Sequence, residues 1–331
     1  MDDPFFESAS LKTRWAVIAR AIRAGYVIAV VLAVAWAIIG TDFLAQGQVL
    51  SSLKRPAGWA FIAAWCVMVV MLGWLWRLWV EWRYGVTLRA AEWLHAQAMA
   101  WSGRYLPGKL GLMLGKLAVA RDRLGWRKVG QSVLVEQMAF VAAGIFTAVL
   151  LMPSYMVESI DELPRWVGSG WPIFRLLIAA GTVCAFILGL RLLDWITTGE
   201  TDEVGTQPGL RRCVALLGLY VAPHALVGIA FHALVLATSS GAVAPSVAHC
   251  IAILALAHVA GIVAIFAPAG LGVRELVLAA GLSPFMGFQE ALLIAAALRL
   301  LTVVADSFVA GSIAATWVAA RRAVPPNKDS V

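Results

Sequence analysis

The sequence predicts an all-α polytopic membrane protein of about seven or eight membrane-embedded helices, at least one of them re-entrant or broken at a Pro-Gly turn. Three observations carry this. Hydrophobic residues make up 61% of the 331 and charged residues only 14%, well below the charged quarter typical of soluble domains. The apolar residues gather in runs of roughly 20, the length that crosses a hydrocarbon core about 30 Å thick. Among these runs lie two turns that combine Pro, Gly and charge, LPGKLG at 106–111 and PAGLGVRE at 268–275. Alternating strand patterns of a membrane barrel are absent.

Residues 1–23 carry Lys12, Arg14, Arg20 and Arg23 ahead of the first apolar run, 24–44. The positive-inside rule puts this end in the cytoplasm, and no small-residue cleavage site follows, so the run reads as a retained span. The loop to Pro56 then faces outside. The second span, 57–80, ends among Trp74, Trp76, Trp79 and Trp82, with Arg77, Arg83 and Arg89 interleaved, which reads as an interfacial aromatic belt. Residues 87–104 are apolar enough to embed yet contain Arg89, Glu92, His95 and Gln97. Lys116, Arg121, Arg123, Arg127 and Lys128 follow, opposed only by Asp122. So basic a stretch reads as cytoplasmic, which makes 87–104 a re-entrant or interfacial segment turning at Pro107 and Gly108.

The run 129–152 is a span containing Glu136, and the acidic loop 153–170 follows outside. The run 171–195 returns inside to GETDEVGTQPGLRR, taken as the boundary between two halves, 15–198 and 210–322, of one transmembrane domain covering 1–331, with a polar tail at 323–331. The second half has an apolar run interrupted at Pro223-His224 (214–237), an uncharged turn, the run 247–267, the PAGLGVRE break, a short piece (276–282), and a long run, 288–320, ending at Arg321-Arg322. Those arginines put the C-terminus in the cytoplasm. Counting every run as one crossing puts it outside. One segment is therefore broken, with 87–104, the Pro223 run and the piece after Pro268 as candidates. The paired breaks, with Pro107, Gly108 and Gly111 in one and Pro268, Gly270 and Gly272 in the other, also point to an inverted repeat, the construction of many transporters.

The charged residues inside apolar runs are the candidate site, because a charge at such depth is costly. A half-helix starting at Val273 offers unpaired N–H groups, and Arg274 beside them suits a phosphate or other anion. Glu275 is placed to orient or balance Arg274, and Lys109 in the first break is a second phosphate ligand. Glu136 alone would cost about 2.5–3.5 kcal/mol at mid-bilayer, so it needs a partner, with Arg274 or Arg299 expected. Arg299 and Asp306 share a face of the last helix. The plain alternative for this set is salt bridges that pin helices together. The five histidines show no metal spacing and read as interhelical hydrogen bonders, and the four cysteines read as small buried hydrophobes. No nucleophile elbow, acidic pair or nucleotide loop is present, so neither catalysis nor a cofactor or metal is expected, and the net charge of +7 suits anionic lipid rather than nucleic acid.

YLPGKLG, Glu136 early in the next span, PAGLGVRE and RLLTVVAD in the last run together resemble the lysylphosphatidylglycerol synthase transmembrane region family, the flippase-like membrane domain of bacterial multiple peptide resistance factor and its stand-alone relatives. The likeness covers about residues 15–320. It implies a lipid-translocating domain of the bacterial inner membrane, with the family's acidic residue at Glu136, its Arg-Glu pair at Arg274 and Glu275, and its last-span arginine at Arg299. Gln137 stands where an arginine often follows the glutamate, and Leu112 and Met113 stand where a glutamate often follows the first turn. These departures point away from lysyl-phosphatidylglycerol as substrate. The family's aminoacyltransferase domain is not within 1–331, so the expectation is a chain that handles a lipid without synthesising it.

The resulting expectation is a flippase or transporter moving an anionic, phosphate-containing lipid or lipid-linked headgroup between leaflets. Arg274 would hold the phosphate, Glu136 and Glu275 would balance the empty site or hold a cationic headgroup, and Lys109, Arg299 and Asp306 would complete or gate it. Its partners would be membrane lipids with anionic headgroups and a lipid- or glycan-synthesis enzyme. The alternatives are an integral membrane enzyme acting on a lipid-linked sugar and an accessory subunit of such a synthesis complex.

Overall fold

Helix α1, Pro56–Tyr84, starts on a proline, whose missing N–H costs nothing there, and ends at Gly85 in the left-handed conformation (φ 67°). Its 29 residues extend about 44 Å, more than enough to cross a bilayer. Helix α2, Ala90–Ser102, and a 3-10 turn, Gly103–Tyr105, follow. Then come α3 (Leu110–Leu151), α4 (Trp171–Thr197), α5 (Leu210–Thr238), α6 (Val247–Val263), α7 (Val273–Met286) and α8 (Phe288–Arg322). This computed structural model describes residues 55–105, 110–154, 156, 170–197, 209–239, 243–264, 267 and 270–322. All belong to one unit, Asp42–Val331. The expected first span, 24–44, lies outside the described residues, as do Pro107, Gly108, Lys109 and Pro268.

The described residues contain α-helices and no strands, and five helices are long and apolar enough to cross a membrane. The chain is a polytopic helical membrane protein. Within this frame α2, α6 and α7, at 13, 17 and 14 residues, reach only about 20–26 Å. Helix α3 has the opposite problem, since 42 unbroken residues would run about 63 Å. Gly125 solves it with φ 77° and ψ 158°, a backbone region open essentially to glycine alone. The arm 110–124 therefore ends there, and the arm 126–151 sets off in a new direction.

The short pieces form two antiparallel helical hairpins. In the first, α2 packs on arm 110–124 so closely that a Cβ on Gly103 would sit 2.5 Å from the Gly111 backbone, and one on Gly115 2.5 Å from Ala100 Cα. In the second, α6 packs on α7, where a Cβ on Gly281 would sit 2.7 Å from Ile253 Cγ2. Glycine lets backbones meet at this distance, and inside a membrane close packing replaces the missing hydrophobic drive. His249 Nε2 also bonds Gly281 O at 2.8 Å across the second hairpin.

The hairpins approach α1 from opposite ends. The first follows directly on the Tyr84 end, where Trp76, Val80, Leu88, Trp93, Ala120 and Val133 form a small core of their own. Helix α5 packs antiparallel to α1, because Arg212 Nη1 at its start donates to Trp82 O at 3.5 Å. Thr238 therefore lies toward the Pro56 end, and the second hairpin begins there. Each half contains, in order, a hairpin, a glycine corner and a crossing helix, and in the first half α4 follows these. The second corner, Gly287 (φ 77°, ψ 154°), repeats the Gly125 geometry.

Of the three candidates for a single broken segment, two are short helical pieces and one is a continuous helix. Residues 87–104 and the piece after Pro268 belong to hairpins, but α5 runs unbroken through Pro223. The tryptophan belt is also corrected. Trp74 is exposed, but Trp76 and Trp79 are buried: Trp76 packs on the first hairpin and donates from Nε1 to Ser132 Oγ of the arm 126–151 at 2.9 Å, and Trp79 packs on that arm, α4 and α5. Cys213 and Cys250 are buried as expected, whereas Cys184 is exposed on α4.

Hairpin packing yields a direct test. Gly115→Val drives a branched side chain into the α2 backbone and should lower the melting temperature in detergent markedly, at a cost of about 3 kcal/mol or more. Gly181→Ala, whose methyl group meets open space on α4, should leave it unchanged or slightly raised.

Candidate functional site

The closed ends of both hairpins converge on Trp65, nine residues into α1 and 1% exposed. From the first hairpin, Trp101 and Arg104 arrive. Asp306 comes from the middle of α8. Asp306 Oδ1 accepts from Trp65 Nε1 at 2.9 Å and from Trp101 Nε1 at 2.8 Å, and Oδ2 accepts from Arg104 Nη2. The Arg104 guanidinium also lies 4.6 Å from the Trp101 ring centroid and 5.3 Å from that of Trp65. The carboxylate thus holds two indoles and a cation, and every partner is buried or half-buried.

From the second hairpin comes Arg274, two residues after Gly272 (φ 82°) opens α7. Its guanidinium lies 5.5 Å from the Trp65 ring. Gly261 and Gly270 make room for its stem, since a Cβ on Gly261 would stand 2.6 Å from Arg274 Cγ. Gly270 has φ 71°, so its conformation too favours glycine. Arg274 is 8% exposed, no described carboxylate lies within ion-pairing distance of it, and its Nε has no hydrogen-bond partner. This is unusual, because a buried guanidinium is ordinarily matched.

Arg274 faces a cleft of about 740 Å³, counting its open mouth, whose walls include Trp65, Trp101, Gln97, Phe140, His258 and Glu136. Further polar atoms in this wall lack partners, namely both ring nitrogens of His258 and Oε1 of Gln97. Both residues are buried, and buried polar groups normally find a partner. The remaining wall includes apolar Met68, Leu72, Leu112 and Ile262, with Gln137 and Arg104 as its other polar residues.

Two further ion pairs flank the cleft. Glu136, on the arm after Gly125, pairs with Lys116 on the arm before it. The Lys116 ammonium lies 4.4 Å from the Trp76 ring centroid. On the other side Arg299 Nε stands 3.8 Å from Glu275 Oε1, and Glu275 Oε2 has no hydrogen-bond partner.

The expected site residues Glu136, Arg274, Glu275, Arg299 and Asp306 thus gather in one buried region, but their pairing differs from expectation. Glu136 is matched by Lys116, because doubling back at Gly125 carries Lys116 alongside it. Arg274 and Arg299 were the expected partners. Lys116 is correspondingly not a loop charge but 1% exposed. Asp306 pairs with Arg104, although Arg299 lies on its own helix. Gly111, Gly270 and Gly272 do serve as structural glycines. His224 and His249 fit the hydrogen-bonding reading, with Nε2 against Phe140 O and Gly281 O, whereas His258 faces the cleft. Trp65, Trp101, Arg104, Gln97 and Lys116 were not singled out. Gln97 carried a signal, as an amide in a short apolar helix.

Compared with known proteins, the chain matches no family model and no curated sequence. Fold and site define it as a polytopic helical membrane protein with a buried charged centre between two hairpins.

The Asp306 cluster sets a stability expectation. Asp306→Ala leaves Arg104 and two indoles without their acceptor and should cost about 3–5 kcal/mol. Replacing both partners, Arg104→Met with Asp306→Leu, should recover the part of that loss due to the unpaired cation, with both indole N–H groups still lacking their acceptor, in detergent unfolding measurements.

Proposed function

We propose that the chain moves an anionic, phosphate-bearing lipid or lipid-linked headgroup between membrane leaflets through the cleft at Trp65. The observation that carries this is Arg274, a buried guanidinium without a carboxylate partner, opening onto a cleft with unsatisfied polar atoms. Among the described residues, the buried centre holds four cations (Arg104, Lys116, Arg274 and Arg299) against three carboxylates (Glu136, Glu275 and Asp306). One negative charge on a ligand would balance it, and a guanidinium fits phosphate oxygens well. Gln97 Oε1 would accept from a ligand hydroxyl, and His258 would donate or accept beside it. The apolar walls would receive the start of the lipid chains.

The architecture supports the same reading. Two hairpins entering from opposite sides and meeting at a charged cleft is a common plan in repeat-built transporters. If run 24–44 is a crossing and each hairpin returns to its own side, the five long apolar helices bring the total to six crossings, and both chain ends share one side. Positive charge at 12–23 and at Arg321-Arg322 assigns that side to the cytoplasm. This removes the conflict between crossing count and charge found in the sequence. The resemblance to the lysylphosphatidylglycerol synthase transmembrane region family, and with it a bacterial inner membrane, agrees with this proposal.

The test is leaflet exchange of fluorescent phosphatidylglycerol, phosphatidic acid and phosphatidylcholine in liposomes holding the purified chain. Anionic lipids should exchange faster than phosphatidylcholine, and Arg274→Ala should slow them by about tenfold or more, the effect of losing one charged hydrogen bond of ~1.5–3 kcal/mol. Equal exchange in wild type and Arg274→Ala would remove Arg274 from the site. No exchange of any lipid would favour the enzyme or accessory-subunit reading instead.

A further inference from the structure

The two buried ion pairs beside the cleft have a feature in common that follows from their place in the chain. Lys116 lies nine residues before Gly125, and Glu136 eleven after it. Glu275 lies twelve residues before Gly287, and Arg299 twelve after it. Each pair therefore bridges a glycine corner, tying the returning arm of a hairpin to the crossing helix that follows. The corners stand 162 residues apart and share their backbone geometry to within a few degrees, at φ 77° with ψ 158° and at φ 77° with ψ 154°. The polarity of the two pairs is opposite. The first hairpin carries the cation and its crossing helix the anion, while in the second the order is reversed.

The corners have the properties of hinges. Their conformation is one that other residues rarely adopt. A Cβ at either position would meet nothing within 4 Å, so no packed neighbour fixes the angle. The angle is held instead by the contact between arm and helix, where the ion pair is the polar element. Side-chain exposures are 1% and 7% for Lys116 and Glu136, and 4% and 15% for Arg299 and Glu275. At such burial an ion pair is strongly resistant to separation unless something replaces the lost partner.

We propose that the two hairpins are separate gates on the cleft, hinged at Gly125 and Gly287 and latched by the charge-swapped pairs Lys116–Glu136 and Glu275–Arg299. The latches are unequally set. Lys116 and Glu136 are in direct hydrogen-bond contact, whereas Arg299 and Glu275 stand 3.8 Å apart with Glu275 Oε2 unpartnered. The second gate is the looser one in this state. Its latch residue Glu275 adjoins Arg274, so an anion held by Arg274 competes with Glu275 for Arg299 and releases the second gate while the first stays shut. An anion would compete for the cation of either latch, and the second yields first because Glu275 adjoins Arg274 and its contact with Arg299 is the longer one. This last step rests on the anion-site reading proposed above, whereas the hinges and latches do not.

Hydrogen exchange read by mass spectrometry on the full chain in phosphatidylcholine vesicles tests the proposal. Glu136→Gln should speed exchange in 110–124 by about tenfold or more while leaving 273–286 unchanged, because local openings are set by local contacts. Glu275→Gln should do the reverse. The exchanged pair Lys116→Glu with Glu136→Lys should return 110–124 to the wild-type rate. Gly125→Ala and Gly287→Ala, which leave both ion pairs' own atoms in place, should each loosen the hairpin before them. Faster exchange spread through α1 and α5, or no change in 110–124 after Glu136→Gln, would overturn the proposal. Dihexanoylphosphatidic acid should then speed exchange in 273–286 alone. If the variants behave as described and this lipid changes nothing, the gates stand and the anion reading of the cleft falls.

Discussion

Asp306 accepts hydrogen bonds from Trp65, Trp101 and Arg104, and the rest of the centre depends on that carboxylate being satisfied. A lone carboxylate at this depth is strongly disfavoured, and one cation alone would leave acceptor sites empty. Three donors from α1, α2 and the 3-10 turn meet the demand together. In doing so they fix the closed end of the first hairpin between α1 and α8. Trp65 then has a second role, because its ring also lies against Arg274 and His258. Anchoring Trp65 thereby sets the wall of the cleft against which the second hairpin rests.

The hairpins exist because short helices can end inside a membrane only where something receives their terminal polar groups. Burial within the bundle does this here, and glycine makes the burial tight enough. At Gly103, Gly111 and Gly115 backbone meets backbone, and at Gly261 and Gly270 backbone meets the stem of Arg274. Small residues and buried charges are thus two parts of one solution. The glycines bring the hairpin ends to the middle of the protein, and the charged side chains occupy the polar space that this creates.

How much of this was legible in the sequence differs by residue. Glu136, Arg274, Arg299 and Asp306 stood out because each interrupts an apolar run, where a charge has no inexpensive explanation. Lys116 and Arg104 did not, because they sit close to other polar or basic residues, and the positive-inside rule sorts such charges into loops. Partner identity was not readable at all. It depends on the angle at which an arm folds back, and that angle is set by single glycines. Yet the corners left a trace. Gly125-Trp126 and Gly287-Phe288 each place a glycine and then an aromatic residue at a helix junction, 162 residues apart, and Pro107 and Pro268 stand 161 apart. The spacing of the corners thus runs parallel to that of the two Pro-Gly turns. Pro223 misled in the other direction. A proline in a long apolar helix frees one carbonyl but need not break the helix when neighbouring helices pack around it.

The unmatched charge of Arg274 bears on why such a centre would be retained. Salt bridges that only pinned helices together would be balanced, since each unmatched ion lowers stability and a well-packed apolar core of equal size serves as well. Arg104 with Asp306 fits that structural account. Arg274 does not fit it, and neither do the unpartnered nitrogens of His258 or the unpartnered oxygen of Gln97 on the same wall. Unsatisfied groups scattered through a core would be strain without purpose. Gathered around one cleft, where the two hairpins meet, they are the observations on which the proposed anionic ligand rests: a guanidinium and imidazole nitrogens to meet its oxygens, and an amide oxygen to meet a hydroxyl.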